Sequence, residues 1–234
     1  MSSSERRNPA AIPAPRRFAH NAAIAASSTR HGFDVTRTDS SRQAQAQRLR
    51  GLSHGAATIL RDVALRLDRG ELDAAERGLA GALALAPTHA ETRRLHGLVE
   101  HRRGRAATAV AIYRAALADT PGDALIRLQL GEALADLQDL AGSQTALREA
   151  CAHASADAEV WFRAGVQFDR QALHEESIAA AERVLALQPA HPLVRMLLAR
   201  GLAATGRTDE AAAQYRRVIA SGSPRAWQAW FSLV

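Results

Sequence analysis

The chain has 234 residues, 47% of them hydrophobic but only 4% aromatic, and a formal charge of +6. Its alanine- and leucine-rich composition suits helices rather than sheets, no window holds the roughly 20 apolar residues of a membrane span, and the single cysteine, Cys151, excludes an internal disulfide. Lysine is absent and arginine supplies every strong base, a bias that fits a GC-rich bacterial coding sequence; a bacterial, cytoplasmic protein is expected.

Residues 1–45 are Ser, Ala, Pro, Arg and Asn with no sustained apolar period, and such a segment cannot offset its ordering entropy. A disordered basic segment is expected there. Residues 1–55 carry nine arginines against Glu5, Asp34 and Asp39, while the rest balances 21 arginines with 21 acids. The charge excess therefore lies in the leader, and nothing in the balance argues for nucleic-acid binding. The pairs Arg6–Arg7 and Arg16–Arg17 invite comparison with an export signal, but the apolar stretch after them, Ala22 to Ala26, is too short for one. Residues 46–55 (AQRLRGLSHG) read as a short helical lead-in, with Gly51 and Gly55 against one continuous helix.

From Ala56 a period of 34 residues takes over. Position 8 of each period is Val63, Gly97, Gly131, Gly165 and Ala199; position 20 is Ala75, Ala109, Ser143, Ser177 and Ala211. Small residues at these two places let a pair of helices approach closely, while position 24 (Leu79, Tyr113, Leu147, Ala181, Tyr215) is mostly large and fills the space they leave. Position 15 (Gly70, Gly104, Gln138, Ala172, Gly206) is suited to a left-handed helix cap, and position 32 (Pro87, Pro121, Ser155, Pro189, Ser223) stops the second helix where it is proline. The expected unit is a helical hairpin, repeated over 56–89, 90–123, 124–157, 158–191 and 192–223. The recurring small, Leu, Tyr and Trp residues are packing residues, not sites.

The pattern resembles the tetratricopeptide repeat (TPR) family, and the period 158–191 is its clearest copy, with Trp161, Gly165, Phe168, Ser177 and Pro189 at the family's positions. The resemblance implies an all-α fold, an α-solenoid formed as a right-handed superhelix of helical hairpins. It also implies that the first helix of each hairpin lines a groove through positions 2, 5, 6, 9, 12 and 13. The candidate groove residues are Arg94, His101, Arg102, Gln129, Glu132, Asp136, Phe162, Arg163, Asp169, Arg170 and Arg200, with Arg61 and Asp68 in the first hairpin. Arginine could fork onto a ligand carboxylate there, and Phe162 could serve as an apolar anchor. Two family specialisations fail. The carboxylate clamp for chaperone tails needs Lys and Asn where this chain has Leu60 and Arg61, and an asparagine ladder at position 6 meets Arg61, Leu95, Gln129, Arg163 and Leu197.

The last segment, 224–234, contains Trp227, Trp230, Phe231 and Val234 at helical spacing. It reads as the start of a sixth repeat or as a capping helix, with Trp227, Trp230 and Phe231 as a candidate interface. The stretch Ala229 to Val234 (AWFSLV), directly after the repeats, resembles the junction in bacterial proteins that fuse TPRs to a sulfotransferase domain. That resemblance implies a non-catalytic N-terminal arm followed covalently by an enzyme. The alternative is a complete stand-alone adaptor whose aromatic helix is a dimer or partner interface. No catalytic residues, metal ligands or cofactor site are legible: His-x3-His, CxxC, HExxH, P-loop and GxSxG patterns do not occur. Cys151 beside Ala150 reads as a small buried residue. The expected partner is a protein or peptide, with neither nucleic acid nor membrane.

Overall fold

Each 34-residue period carries two apolar stripes, each ended by a turn residue, and each stripe becomes a helix. In a computed structural model of the protein, residues 39–222 are described, and their regular structure is helical throughout. A leading helix α1 (Asp39–Arg48) is followed by five hairpins: α2 (His54–Asp68) with α3 (Leu72–Leu85), α4 (Ala90–Arg102) with α5 (Ala106–Asp119), α6 (Ala124–Asp136) with α7 (Leu140–His153), α8 (Ala158–Arg170) with α9 (His174–Leu187), and α10 (Pro192–Ala204) with α11 (Thr208–Ala220).

The first helices start at side-chain caps. Asp123 accepts from the N–H groups of Leu125 and Ile126, Asp157 from those of Glu159 and Val160, and Ser53 from Ala56. His89 and His191 do the same through a ring nitrogen, for Glu91 and Val194. Each cap satisfies N–H groups that the first turn leaves without partners.

Each first helix ends in a left-handed residue. Gly70, Gly104 and Gly206 have φ of 76°, 77° and 80°, as position 15 leads one to expect. Gln138 and Ala172 hold the same conformation at 62° and 59°, against the cost their Cβ atoms impose. The second helices end in two ways. Before Pro87, Pro121 and Pro189 the cap residues Ala86, Thr120 and Gln188 turn extended, at φ of −149°, −130° and −138°, because the proline ring disfavours a helical neighbour. Where Ser155 replaces proline, Ala154 stays helical at φ −76° and Ser155 itself reaches 27°, a value closed to proline.

The core fills each hairpin and continues from one hairpin into the next. Leu60, Val63, Leu67 and Leu79 of the first pack with Leu95 and Val99 of the second, and Val184 of the fourth with Val194, Leu198 and Tyr215 of the fifth. A Cβ on Gly97 would lie 2.8 Å from Tyr113 Cδ1, and one on Gly131 would lie 2.9 Å from Leu147 Cγ, so positions 8 and 24 meet face to face. The fourth hairpin has Ala181 at position 24. There a Cβ on Gly165 would meet Ala180 Cβ and Leu197 Cδ2, both at 3.1 Å, so the space is closed by the next hairpin.

The N-terminal end differs from expectation. Helix α1 spans 39–48 and so takes in the first three residues of the helical lead-in expected over 46–55, which begins earlier than expected. Gly51, at φ 81°, takes the break, and Ser53 then caps α2, so that Gly55 sits inside the first turn of α2 without ending it. The expectations for 1–38 and 223–234 lie outside the described residues.

Candidate functional site

Successive first helices touch one another, α2 with α4, α4 with α6, α6 with α8 and α8 with α10, and so form the inner layer of the stack. The candidate groove residues stand on this layer, and the structure pairs six of them with each other. His101 of α4 meets Asp136 of α6, Nε2 to Oδ2 at 2.8 Å. Arg163 of α8 forks onto Glu132 of α6 at 3.1 and 2.5 Å, with Glu159 of its own helix 3.4 Å away. Arg200 of α10 donates to Asp169 of α8 at 2.6 Å. Between α4 and α2 the bridge is Arg102 Nη1 donating to the Leu67 carbonyl. A polar bridge therefore spans each junction along the inner face.

Arg94 does not reach across a junction. It forks onto Glu91 of its own helix at 2.8 and 2.7 Å, and both side chains are buried. Arg102 donates to the Leu67 carbonyl and, like Arg61 and Arg170, is exposed. Phe162 is half-buried, its ring centroid 5.5 Å from that of His191. Val166, Leu193 and Met196, also at inner-face positions of α8 and α10, are half-buried as well. Gln129 lies beneath the face, 1% exposed. Trp227, Trp230 and Phe231 lie outside the described residues.

The electrostatics follow from burial and pairing. Burial pushes the Asp169 carboxyl above its ordinary range, and Arg200 and His174 counter this only in part. Burial also pushes the Tyr113 phenol up, in a place where it feels Arg94, Glu132, Arg163 and Arg102. Tyr113 belongs to α5 and reads as packing in the sequence, yet its ring passes beside Gly97 and carries the hydroxyl among the inner-face charges. Burial alone pushes the Cys151 thiol up to about 12, which leaves it protonated at neutral pH. Among the described residues no three His, Cys, Asp or Glu side chains converge as metal ligands, and no helix is long and apolar enough to cross a membrane.

Close-packed hairpins of one length, stacked with small residues at the helix contacts and first helices innermost, decide the fold. The chain folds as a tetratricopeptide-repeat solenoid. The tetratricopeptide-repeat family model matches residues 64–124 and 196–234. No curated protein matches the sequence. Among solved structures, pilF of Pseudomonas aeruginosa is similar at a TM-score of 0.65 and 20% identity, over 76% of this chain and 82% of that one. MamA of Desulfovibrio magneticus RS-1 is similar at 0.58 and 19%, over 74% and 97%. YrrB, described as a TPR protein with an unusual peptide-binding site, is similar at 0.57 and 18%, over 81% and 97%. At these identities the likeness is one of fold.

One group on this TPR surface has no signal in the repeat pattern. Arg48, in α1, forks onto Asp123, the cap of α6, at 2.7 and 3.2 Å. Asp123 is legible as a cap from its place before α6, but its distant partner lies outside the 34-residue period and has no counterpart in it.

Proposed function

We propose that the chain is a protein-interaction module that takes a peptide or protein segment on the inner face of its first helices. The observation that carries this is that Phe162 and Val166 of α8 and Leu193 and Met196 of α10 are half-buried apolar residues on the two inner-layer helices that the Arg200–Asp169 pair joins. Apolar groups left part-exposed next to charges suit a segment that buries one or two side chains and aligns its polar groups at the rim. Because Arg163 and Arg200 already have carboxylate partners, a ligand carboxylate would have to exchange for Glu132 or Asp169. Arg102, exposed and donating to the Leu67 carbonyl rather than to a carboxylate among the described residues, is the more open cation. The description of YrrB as having a peptide-binding site is in keeping with this reading.

A peptide array tests it. Peptides that bind the wild-type chain should bind Phe162→Ala and Met196→Ala at least tenfold more weakly, with the helical circular dichroism unchanged. An array with no binder, or binders indifferent to both substitutions, overturns the reading.

The finer reading is that this module is the non-catalytic arm of a bacterial, cytoplasmic TPR–sulfotransferase fusion. It rests on the AWFSLV stretch. Sequencing the gene past codon 234 tests it: an open frame entering a domain with a phosphate-binding loop supports the fusion. A stop codon favours the stand-alone adaptor, whose self-association or partner binding should then be lost on deleting residues 226–234. Cell fractionation tests the cytoplasmic placement.

A further inference from the structure

Arg48 reaches 75 residues along the chain to find Asp123. Asp123 Oδ1 accepts from the N–H groups of Leu125 and Ile126, each at 3.0 Å, so the first turn of α6 holds this carboxylate in place. Arg48 Nη1 donates to Oδ2 at 2.7 Å and Nη2 to Oδ1 at 3.2 Å. Glu91 lies 3.9 Å from the same guanidinium and is forked by Arg94 on its other side. The result is a row of alternating charge, Arg94, Glu91, Arg48 and Asp123. Burial pushes the Asp123 carboxyl up; the Arg48 guanidinium, the Ile126 N–H and Arg94 together outweigh it and hold the group below the usual carboxylate range.

Without Arg48 the row keeps two carboxylates and one guanidinium. Glu91 and Asp123 are only 7% and 17% exposed, so water compensates poorly for the missing cation. The segment that supplies the cation is thinly held. Leu49 is buried in the core and the Arg50 carbonyl accepts from His89 Nε2 at 3.0 Å. Upstream of these, Gln43, Ala46 and Gln47 are exposed and Gln45 is half-buried. Among the described side chains of α1 and the turn after it, the hold on the rest of the molecule is thus at the C-terminal end, and Arg48 occupies a shaped, shielded and anionic site at the edge of the inner layer.

We propose that Glu91 and Asp123 form an arginine-recognising site, that Arg48 fills it in cis, and that the partner segment carries an arginine which displaces α1. Arginine is specified over lysine because a planar fork engages both oxygens of a fixed carboxylate. The proposal rests on the interaction-module reading and names the chemistry of the partner at one edge of the face.

The test uses the full chain and a fluorescent peptide of residues 39–52 as the probe. Arg48→Ala should bind this peptide at least tenfold more tightly than the wild type, whose site is occupied. Adding Asp123→Asn, which keeps a capping oxygen and removes the charge, should abolish the gain. The same peptide carrying Ala in place of Arg48 should not bind. Arg48→Lys, which keeps the charge and loses the fork, should give an intermediate gain and serves as the readout if Arg48→Ala does not fold. Equal binding by wild type and variants, or a gain that survives Asp123→Asn, overturns the proposal. Array peptides that depend on Phe162 separate the two readings. If they bind normally while the arginine peptide shows no gain, the strap alone fails; if they also fail, so does the module.

Discussion

A methyl group on Gly97 would enter the ring of Tyr113, which is fully buried and cannot move aside. Gly97→Ala is therefore expected to destabilise the protein by about 1–3 kcal/mol, read as a lower urea midpoint with an unchanged slope. Position 15 offers the opposite experiment. Ala172 is exposed and sits at φ 59°, a conformation that costs a side chain about 1–2 kcal/mol and glycine almost nothing. Because glycine also gives the unfolded chain more freedom, Ala172→Gly should retain about 1 kcal/mol of that as a net gain. A fall in the melting temperature would show that the left-handed turn is not strained. The left-handed turn is legible at Gly70, Gly104 and Gly206 from residue type, whereas at Gln138 and Ala172 only the period points to it.

At the scale of the helix, the caps decide where each first helix begins. The His191 cap makes that beginning dependent on pH at α10. The Val194 N–H donates to His191 Nδ1 at 3.3 Å, which requires that nitrogen to be unprotonated. Burial holds the His191 imidazole below its ordinary 6.5, with a backbone hydrogen bond only partly opposing. The folded chain then binds fewer protons than the unfolded one in the window below 6.5, so stability rises with pH there. The contribution is complete above the unfolded value and is lost as pH falls through the folded one. His191→Asn supplies a cap that does not titrate. The wild type should lose about 0.5–1 kcal/mol relative to this variant between about pH 7.5 and pH 5, seen as a diverging pair of melting temperatures. Parallel curves would remove His191 from the pH response. Helix ends before proline were legible for a similar local reason, while the alternative ending at Ala154 and Ser155 shows that a helix can stop without it.

Across the whole molecule, stability passes between neighbours because each hairpin completes the core of the next. Gly165→Leu tests this directly, since the added side chain would collide with Ala180 of its own hairpin and Leu197 of the following one. Its melting temperature should drop, and hydrogen exchange should quicken in α10 and α11 as well as in α8 and α9. Damage confined to the fourth hairpin would mean that the hairpins fold independently. The inner-face charges are organised at the same scale. Glu132 with Arg163, Asp169 with Arg200 and His101 with Asp136 each join helices from adjacent hairpins.

The sequence by itself determined the period, the helix–turn–helix unit, the close-packed positions and the set of side chains on the first helices. These depend on local rules, residue size and backbone preference, which act within a few residues. The tertiary structure alone decided that those charges would mostly neutralise one another. It also decided that Leu197 would close the space beside Gly165, that Tyr113 would send its hydroxyl among the inner-face charges, and that Arg48 would reach Asp123. Such pairings depend on the distance between separate elements, whose partners lie 31 residues apart for Arg163 and Glu132 and 75 for Arg48 and Asp123. No periodicity encodes that distance; the stacking of the hairpins sets it.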